Sequence, residues 1–440
     1  MGNGYCLTDT IYALSSGPGK GGVAVIRISG NRVRAVLKQM VGLDDPTPRY
    51  AYFKAVRKGQ EILDRSLILF FAGPASFTGE DVAEFHVHGG QAVIQSVLEA
   101  LGEIKGCRPA ERGEFSRRAV INGKMDLTQA EGMADLINAQ TERQQAQAMA
   151  QMRGNLKNLY DGWRQDLIHH MAYLEAFIDF PEEEIPPEKM AGIDSDVIGL
   201  ADRIRKHLDD HRAGERLRNG FRIALIGAPN VGKSSLINAL THKDVAIVSQ
   251  VAGTTRDVVE AYLDVAGFPV ILSDTAGLRE RAESIEAEGI RRAVRAAESA
   301  DLILYVRDIR QAETPADLPP KLRDKTVLNI WNKADLSAAR PDGIIVSAVT
   351  GDGIQNLWDK IKEVLARDFG DGSTGLITRE RYRIALKECL DFLNRAKETA
   401  PLELKAENLR MAARSLGRIT GQIETEELLD IIFRDFCIGK

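Results

Sequence analysis

The run Gly227-Ala-Pro-Asn-Val-Gly-Lys-Ser234 spaces two glycines, a lysine and a hydroxyl as GxxxxGK followed by serine. Glycines let backbone N–H groups curl around phosphates with no Cβ in the way, and the N-terminus of a following helix adds positive potential for an anion. Lys233 is placed to reach the β and γ phosphates of a nucleoside triphosphate, and the Ser234 hydroxyl to ligate Mg²⁺. Alone, the match also fits a glycine-rich turn between a strand and a helix. Further elements in the right order remove that reading.

Asp274-Thr-Ala-Gly277 follows an apolar run, where the carboxylate can hold Mg²⁺ through water and the Gly277 N–H can sense the γ-phosphate. Between the two motifs, Thr254 and Thr255 can supply a second hydroxyl to Mg²⁺. Asn332-Lys-Ala-Asp335 follows another strand-like run. The Asp335 carboxylate accepts from the guanine N1–H and exocyclic amine, a pairing adenine cannot offer. Ser347 and Ala348 follow the last strand and would support the base through backbone N–H.

The expected GTP contacts therefore fall into four groups. Asn230, Val231, Gly232, Lys233, Ser234 and Ser235 form the first. Thr254 and Thr255 form the second, and Asp274, Thr275, Ala276 and Gly277 the third. Asn332, Lys333, Asp335, Ser347 and Ala348 surround the base.

Hydrolysis needs a positioned water and positive charge on the transition state. Many small GTPases place a glutamine just after DxxG, but this chain has Leu278 there, and an apolar side chain cannot orient water. Glu280, Glu283, Glu286 and Glu288 lie just downstream; each also fits a solvated loop or helix start. Arg256 and Arg279 are the in-chain candidates for the positive charge.

These motifs need strands and helices to hold them. From Phe221 the chain alternates apolar strand-like runs with helices, as a doubly wound parallel sheet requires: Ala224–Ile226, Val270–Leu272, Leu302–Val306, Val327–Ile330 and Ile344–Val346. Residues 1 to about 120 mix short β-type runs with glycine turns, which predicts an α+β domain. Helical spacing of apolar residues runs from Leu127 to Ile137 and from Trp163 to Phe177, is broken by Pro181, Pro186 and Pro187, and returns over 379–436. The reading is a multidomain chain: an α+β N-terminal domain (1–121), a discontinuous α-helical domain (122–218 and 377–440), and an inserted Ras-like α/β P-loop GTPase domain (219–376). The stretch Gly370-Asp-Gly-Ser-Thr-Gly375 reads as a flexible linker.

At 440 residues the chain can bury several cores. Its 58 basic and 63 acidic residues give a net charge of -5, which does not announce nucleic-acid binding globally. No apolar run is long enough to span a bilayer and the start lacks a signal-peptide layout, so a cytoplasmic location with reduced thiols is expected. Cys6, Cys107, Cys389 and Cys437 lack metal-binding spacing. Cys437, near a helical run of apolar residues, reads as a small buried hydrophobe. His86 and His88, with Glu84 nearby, make no complete metal set and read as structural or pocket residues.

The chain resembles the MnmE, or TrmE, family of tRNA modification GTPases over nearly its whole length. The resemblance is carried by Gly19-Lys-Gly-Gly22, Val25-Ile-Arg-Ile-Ser-Gly30, Ser76-Phe-Thr-Gly-Glu-Asp81, His88-Gly-Gly90, Arg112-Gly-Glu-Phe-Ser116 and Asn122-Gly-Lys-Met-Asp-Leu127. Gln129-Ala-Glu131, Ala134-Asp-Leu-Ile137, Val251-Ala-Gly-Thr-Thr-Arg-Asp257, Asp274-Thr-Ala-Gly-Leu278 and the tail Phe436-Cys-Ile-Gly-Lys440 complete it. Lys20 stands where arginine is common in the family, and Val231 where alanine is frequent; neither change removes a charge or a needed glycine.

The resemblance implies that Glu286 orients the attacking water, and it adds Ser249, Gln250, Val251, Ala252 and Gly253 to the second group of GTP contacts. It implies that K⁺ acts in place of an arginine finger, held by Asn230 and the loop residues Ser249, Val251 and Thr254, while Ser234 and Thr255 ligate Mg²⁺. It assigns Arg27, Glu84, Lys124 and Lys440 to a 5-formyl- or methylenetetrahydrofolate site, which the Cys437 tail reaches, so a chemical role for that thiol enters consideration. It further implies a homodimer and a heterotetramer with an FAD-dependent partner of the MnmG type, FAD being held only by that partner. The expected reaction adds an aminomethyl or carboxymethylaminomethyl group to C5 of the tRNA wobble uridine. Two rivals remain at this stage: a ribosome-assembly GTPase switching on RNA, and a folate-dependent one-carbon transferase with a regulatory GTPase.

Overall fold

The computed structural model describes residues 9–17, 19–180, 187–241, 259–274, 296–311, 320–339, 341–370, 377–398, 401–422, 429, 432–433 and 436–439. The chain falls into two compact units, residues 1–134, 157–162 and 416–440 in one, and residues 135–156 and 163–415 in the other.

In the first unit, strand period decides which side chains face the core. Six strands are described: β1 (Thr10–Leu14), β2 (Gly21–Ser29), β3 (Tyr52–Lys58), β4 (Glu61–Phe71), β5 (Val82–Gly89) and β6 (Cys107–Pro109). They pair in the order β3-β4-β5-β2-β1-β6, antiparallel except for β1 with β6. Ala24, Ile26 and Ile28 of β2 join Ala83, Phe85 and Val87 of β5 in one apolar core, beneath helices Val33–Val41 and Gln91–Gly102. The alternate residues of the two strands take the other face, and the antiparallel register sets Arg27 opposite Glu84 and Val25 opposite His86.

Two of the motifs that carry the resemblance meet in a buried ion network. Arg118, 2% exposed, donates to both oxygens of Glu80 at 3.1 Å and to Glu114 at 3.1 Å. Arg108 grips Glu114 with two bonds of 2.6 and 2.9 Å, and the Glu111 N–H adds a third at 2.9 Å. Burial works to raise the Glu114 pKa, but the Arg108 hydrogen bonds, the Glu111 N–H and the charges of Arg108 and Arg118 outweigh it and hold the carboxyl below its ordinary value. A depressed folded-state pKa contributes stability above the unfolded carboxyl value, and that contribution is lost as pH falls through the folded one. Glu114→Gln is therefore expected to lower stability at pH 7 by about 2 kcal/mol, since buried Arg118 and partly exposed Arg108 each lose one carboxylate while keeping another, Glu80 and Asp9 respectively. It should also flatten the acid limb below about pH 4.5. Denaturant titrations from pH 3 to 7 read both effects, and an acid limb as steep as wild type would contradict this account.

The tail closes onto this same unit. Leu429, Ile432, Phe433 and Phe436 pack with Leu127 and Ala130. Ile438 bridges antiparallel to Arg112, the Gly113 N–H donates to the Cys437 carbonyl at 3.3 Å, and the Ser15 hydroxyl donates to the Gly439 carbonyl at 2.8 Å. Gly439 has φ 95°, and a Cβ there would sit 2.1 Å from the Leu14 carbonyl oxygen, so no other residue fits. Cys437 corrects the expectation of a small buried hydrophobe, because its side chain is exposed. The apolar packing ends with Phe436, and Cys437 begins the extended segment that pairs through its backbone.

The second unit holds the parallel sheet. Strands β7 (Phe221–Ile226), β8 (Val259–Val265), β9 (Phe268–Asp274), β10 (Leu302–Asp308), β11 (Thr326–Asn332) and β12 (Ile344–Ile345) are ordered β12-β11-β10-β7-β9-β8, and β8 is antiparallel to β9. The central strands are apolar on both faces because both are covered. Phe221, Ile223 and Leu225 of β7 enter one core with Leu236, Leu240, Leu357, Trp358 and Ile361, while Ala224 and Ile226 enter a second with Ala297 and Leu322.

A short helix, Ala213–Asn219, leads directly into β7. Its Glu215 accepts from Arg383 at 2.9 Å, and its Arg216 pairs with Asp301 at 2.9 Å and Asp368 at 3.2 Å. Its Arg218 reaches Asp135 at 2.8 Å, a carboxylate also held by Arg379 at 2.9 Å. The entry to the sheet is thereby tied to helices Leu127–Asn138 and Glu380–Glu398 and to the far end of helix Ile354–Phe369. Among the described residues no helix is long and apolar enough to cross a membrane.

Candidate nucleotide site

β7 lies between β9 and β10, where the strand order reverses, and its carboxyl end opens into residues 227–232 and then helix Lys233–Thr241. In open α/β sheets that crevice is where ligands bind. The loop is pinned from the base-recognition side. Asn332, 2% exposed at the end of β11, donates through Nδ2 to the Val231 carbonyl at 2.9 Å and accepts the Ala348 N–H on Oδ1 at 3.1 Å. Gly232 has φ 93°, and a Cβ there would fall 2.4 Å from Asn332 Nδ2, so the glycine is what lets the two loops touch.

Lys333, at φ 68°, donates its ammonium to the Asn230 carbonyl at 2.7 Å and to Asp308 at 2.9 Å. Asn230 is itself left-handed at φ 63°, a conformation that asparagine tolerates better than most residues. The Lys233 ammonium donates to the carbonyls of Gly227 and Ala228, each at 2.9 Å. Asp335 accepts the Ser347 hydroxyl at 2.5 Å. Ser347 thus orients the carboxylate through its side chain, while its N–H goes to the Asp352 carbonyl at 2.9 Å. The Ala348 N–H, expected to face the base, is the one engaged by Asn332.

Asp308 was not singled out by motif spacing. It is nearly buried and accepts the backbone N–H and guanidinium of Arg310 as well as Lys333. The Arg310 hydrogen bonds, with Lys333 behind them, overcome burial and hold its carboxyl well below the usual range. The only sequence signal was an acid closing an apolar strand.

Ser234, Ser235, Val231 and Gly232 fall in the same loop and first helical turn. Asp274 ends β9. Ser249, Gln250, Val251, Ala252, Gly253, Thr254, Thr255, Thr275, Ala276, Gly277 and Glu286 lie outside the described residues, as do Arg256, Leu278, Arg279 and the neighbouring glutamates.

In the first unit, Arg27 donates to Glu84 at 3.0 Å, with its guanidinium 5.2 Å from the Phe77 ring centroid and 5.8 Å from that of Phe115. His86 Nε2 stands 3.4 Å from the same carboxylate, whereas the exposed His88 pairs with Asp64 at 2.8 Å. Lys124 donates to the Pro74 carbonyl at 2.8 Å. Lys440 lies outside the described residues.

A family model described as the MnmE helical domain matches residues 127–437, and one described as the GTP-binding protein TrmE N-terminus matches residues 10–124. The chain belongs to the MnmE/TrmE family of tRNA modification GTPases. It is 49% identical over 439 residues to the tRNA modification GTPase MnmE of Parvibaculum lavamentivorans, covering 98% of this chain and 100% of that one. It is 48% identical over 456 residues to the MnmE of Rhodospirillum rubrum, at 98% and 99% coverage. It is also 45% identical over 473 residues to the mitochondrial 5-taurinomethyluridine-(tRNA) synthase subunit GTPB3 of Danio rerio, at 100% and 94% coverage. This MnmE/TrmE family member is a GTP-hydrolysing enzyme of tRNA modification. It is built from a TrmE-type N-terminal domain, a discontinuous helical domain and a Ras-like α/β P-loop GTPase domain inserted between the helical parts.

Proposed function

We propose that this chain is a K⁺-stimulated GTPase that works as a homodimer with an FAD-dependent partner of the MnmG type in the cytoplasm. Its reaction adds an aminomethyl or carboxymethylaminomethyl group to C5 of the wobble uridine of certain tRNAs. The observation that carries this reading is the similarity to MnmE relatives over 98% of the chain, with family models matching residues 10–124 and 127–437. In this reading the domains run 1–121, 122–218 with 377–440, and 219–376.

Residue chemistry supports the ligands. Ser234, in the first turn of the helix after the loop, suits Mg²⁺ with Thr255, and the nucleotide contacts are those of the four groups above. Asn230 brings a neutral amide oxygen to the phosphate loop, which with carbonyls of Ser249 and Val251 and the Thr254 hydroxyl suits a monovalent cation. A cation bound there supplies the positive charge that an arginine finger supplies elsewhere. The roles left to the chain are its own. Glu286 orients water, Lys233 neutralises phosphate charge, and Asn332 and Lys333 hold the loop in register with Asp335. The Arg27–Glu84 pair beside the partly exposed Phe77 offers a donor, an acceptor and an aromatic ring, which suits the pterin ring of a 5-formyl- or methylenetetrahydrofolate, with Lys124 and Lys440 for its carboxylates. Cys437, exposed beside this tail, is accessible for a chemical role. The ties of helix Ala213–Asn219 give GTPase movements a path into the surrounding helices.

Wobble-uridine analysis of tRNA from a deletion strain tests the reading, with rescue by wild type but not by Glu286→Ala expected; unchanged modification in the deletion would sink it. GTP hydrolysis should also rise at least about tenfold in K⁺ over Na⁺, the scale of a charge added at the transition state. Equal rates in the two salts would remove the cation role of Asn230.

A further inference from the structure

Asp308 is the last residue of β10 and stands in parallel register with Asn332, so the ladder brings its carboxylate beside Lys333. That side chain is 6% exposed, and a carboxylate so buried persists only when charge and hydrogen bonds compensate it. Arg310 supplies one side, with Nε at 3.0 Å and Nη2 at 2.6 Å, while its own side chain is half exposed. Lys333 supplies the other and continues to the Asn230 carbonyl. The chain of contacts therefore runs from a strand end, through one ammonium, to a left-handed residue of the phosphate loop.

We propose that Asp308 is a positioning residue of the GTP site: it fixes the Lys333 ammonium over the Asn230 carbonyl and so holds the phosphate loop in its binding conformation. The proposal rests on the assignment of Gly227–Ser234 as that loop. Without the charged carboxylate, Lys333 is left with neutral acceptors and gains more by turning to water. Asn230 then loses the Lys333 donor to its carbonyl, and the φ 63° backbone relaxes among conformers, most of which bind GTP poorly. Among the described residues Arg310 bonds the Asp308 carboxylate and makes no hydrogen bond to the phosphate loop.

The test is steady-state GTP hydrolysis by the full chain, with melting temperature as a check on folding. Asp308→Asn keeps the shape and removes the charge; it should raise KM for GTP about tenfold and change kcat by less than about threefold. Lys333→Met should raise KM to a similar degree, and the double variant no further, because both changes cut one chain of contacts. Arg310→Ala should leave KM within about twofold. A wild-type KM for Asp308→Asn overturns the proposal, as do effects that multiply in the double variant. So does an Arg310→Ala KM as high as that of Asp308→Asn, which would make the carboxylate a structural ion pair. If Asp308→Asn fails to fold, Lys333→Met still reads the link, and an unchanged KM there overturns it. Full GTP binding by Lys233→Ala would instead remove the loop assignment itself, and loss of K⁺ preference would bear on the cation reading alone.

Discussion

Lys233→Ala is expected to lower kcat/KM for GTP by about 10³-fold, read as phosphate release, with little change in melting temperature. Lys233 is buried, and its ammonium donates to two carbonyls of its own loop, Gly227 and Ala228, so it sits at the rim of the curl that phosphates enter. Triphosphate oxygens carry full negative charge and compete well against neutral carbonyls for this donor. A charge placed in a water-poor site contributes about 4 kcal/mol to the transition state, which corresponds to about three orders of magnitude. The fold loses less, since the loop remains held by Asn332 and Lys333. Retention of more than about a tenth of the rate would show that the phosphates lie elsewhere. The same variant separates two readings of the biology. A GTPase that drives modification loses it, whereas a one-carbon transferase with a merely regulatory GTPase keeps it.

Asp335→Asn should weaken GTP by about 10²-fold or more and make xanthosine triphosphate the better substrate. Guanine presents two donors, N1–H and the exocyclic amine, and an amide can accept only through one atom. Xanthine has a carbonyl where guanine has the amine, so an asparagine NH₂ meets an acceptor. The geometry favours a clean exchange. Ser347 donates to one Asp335 oxygen at 2.5 Å and would donate equally to an amide oxygen, which fixes the amide nitrogen on the other side. Competition binding with GDP and XDP reads the result. An Asp335→Asn protein that binds GDP as tightly as wild type would refute the guanine assignment.

Where a motif demands a particular backbone, its residues were legible before any coordinates. Gly232 must approach Asn332, and the strands that flank the loop are covered on both faces, so they appear as unbroken apolar runs. Ala224–Ile226, Val270–Leu272, Leu302–Val306 and Val327–Ile330 all fall inside β7, β9, β10 and β11 for that reason. What spacing could not carry are contacts created by register between strands. Asp308 meets Lys333 only because β10 and β11 pair with Asp308 opposite Asn332. The Ala348 N–H turns to Asn332 because that side chain, once buried, needs its amide donor satisfied at one end and its carbonyl acceptor at the other. Cys437 was misplaced because proximity in sequence to an apolar helix says nothing of where that helix stops.

The Ser15–Gly439 hydrogen bond joins positions 424 residues apart. A ribosome adding about 5–20 residues each second needs on the order of 20–85 s between the two. Throughout that interval the first sheet exists without Ile438 beside Arg112 and without Phe433 and Phe436 against Leu127. The inserted sheet, from β7 to β12, has emerged long before and has all its strands in hand. Synthesis therefore imposes an order in which the nucleotide domain matures first and the N-terminal unit is sealed last. A messenger truncated only a few codons short would yield a chain with its GTPase intact and its first unit left open, an uncoupled product that consumes GTP without a finished partner domain.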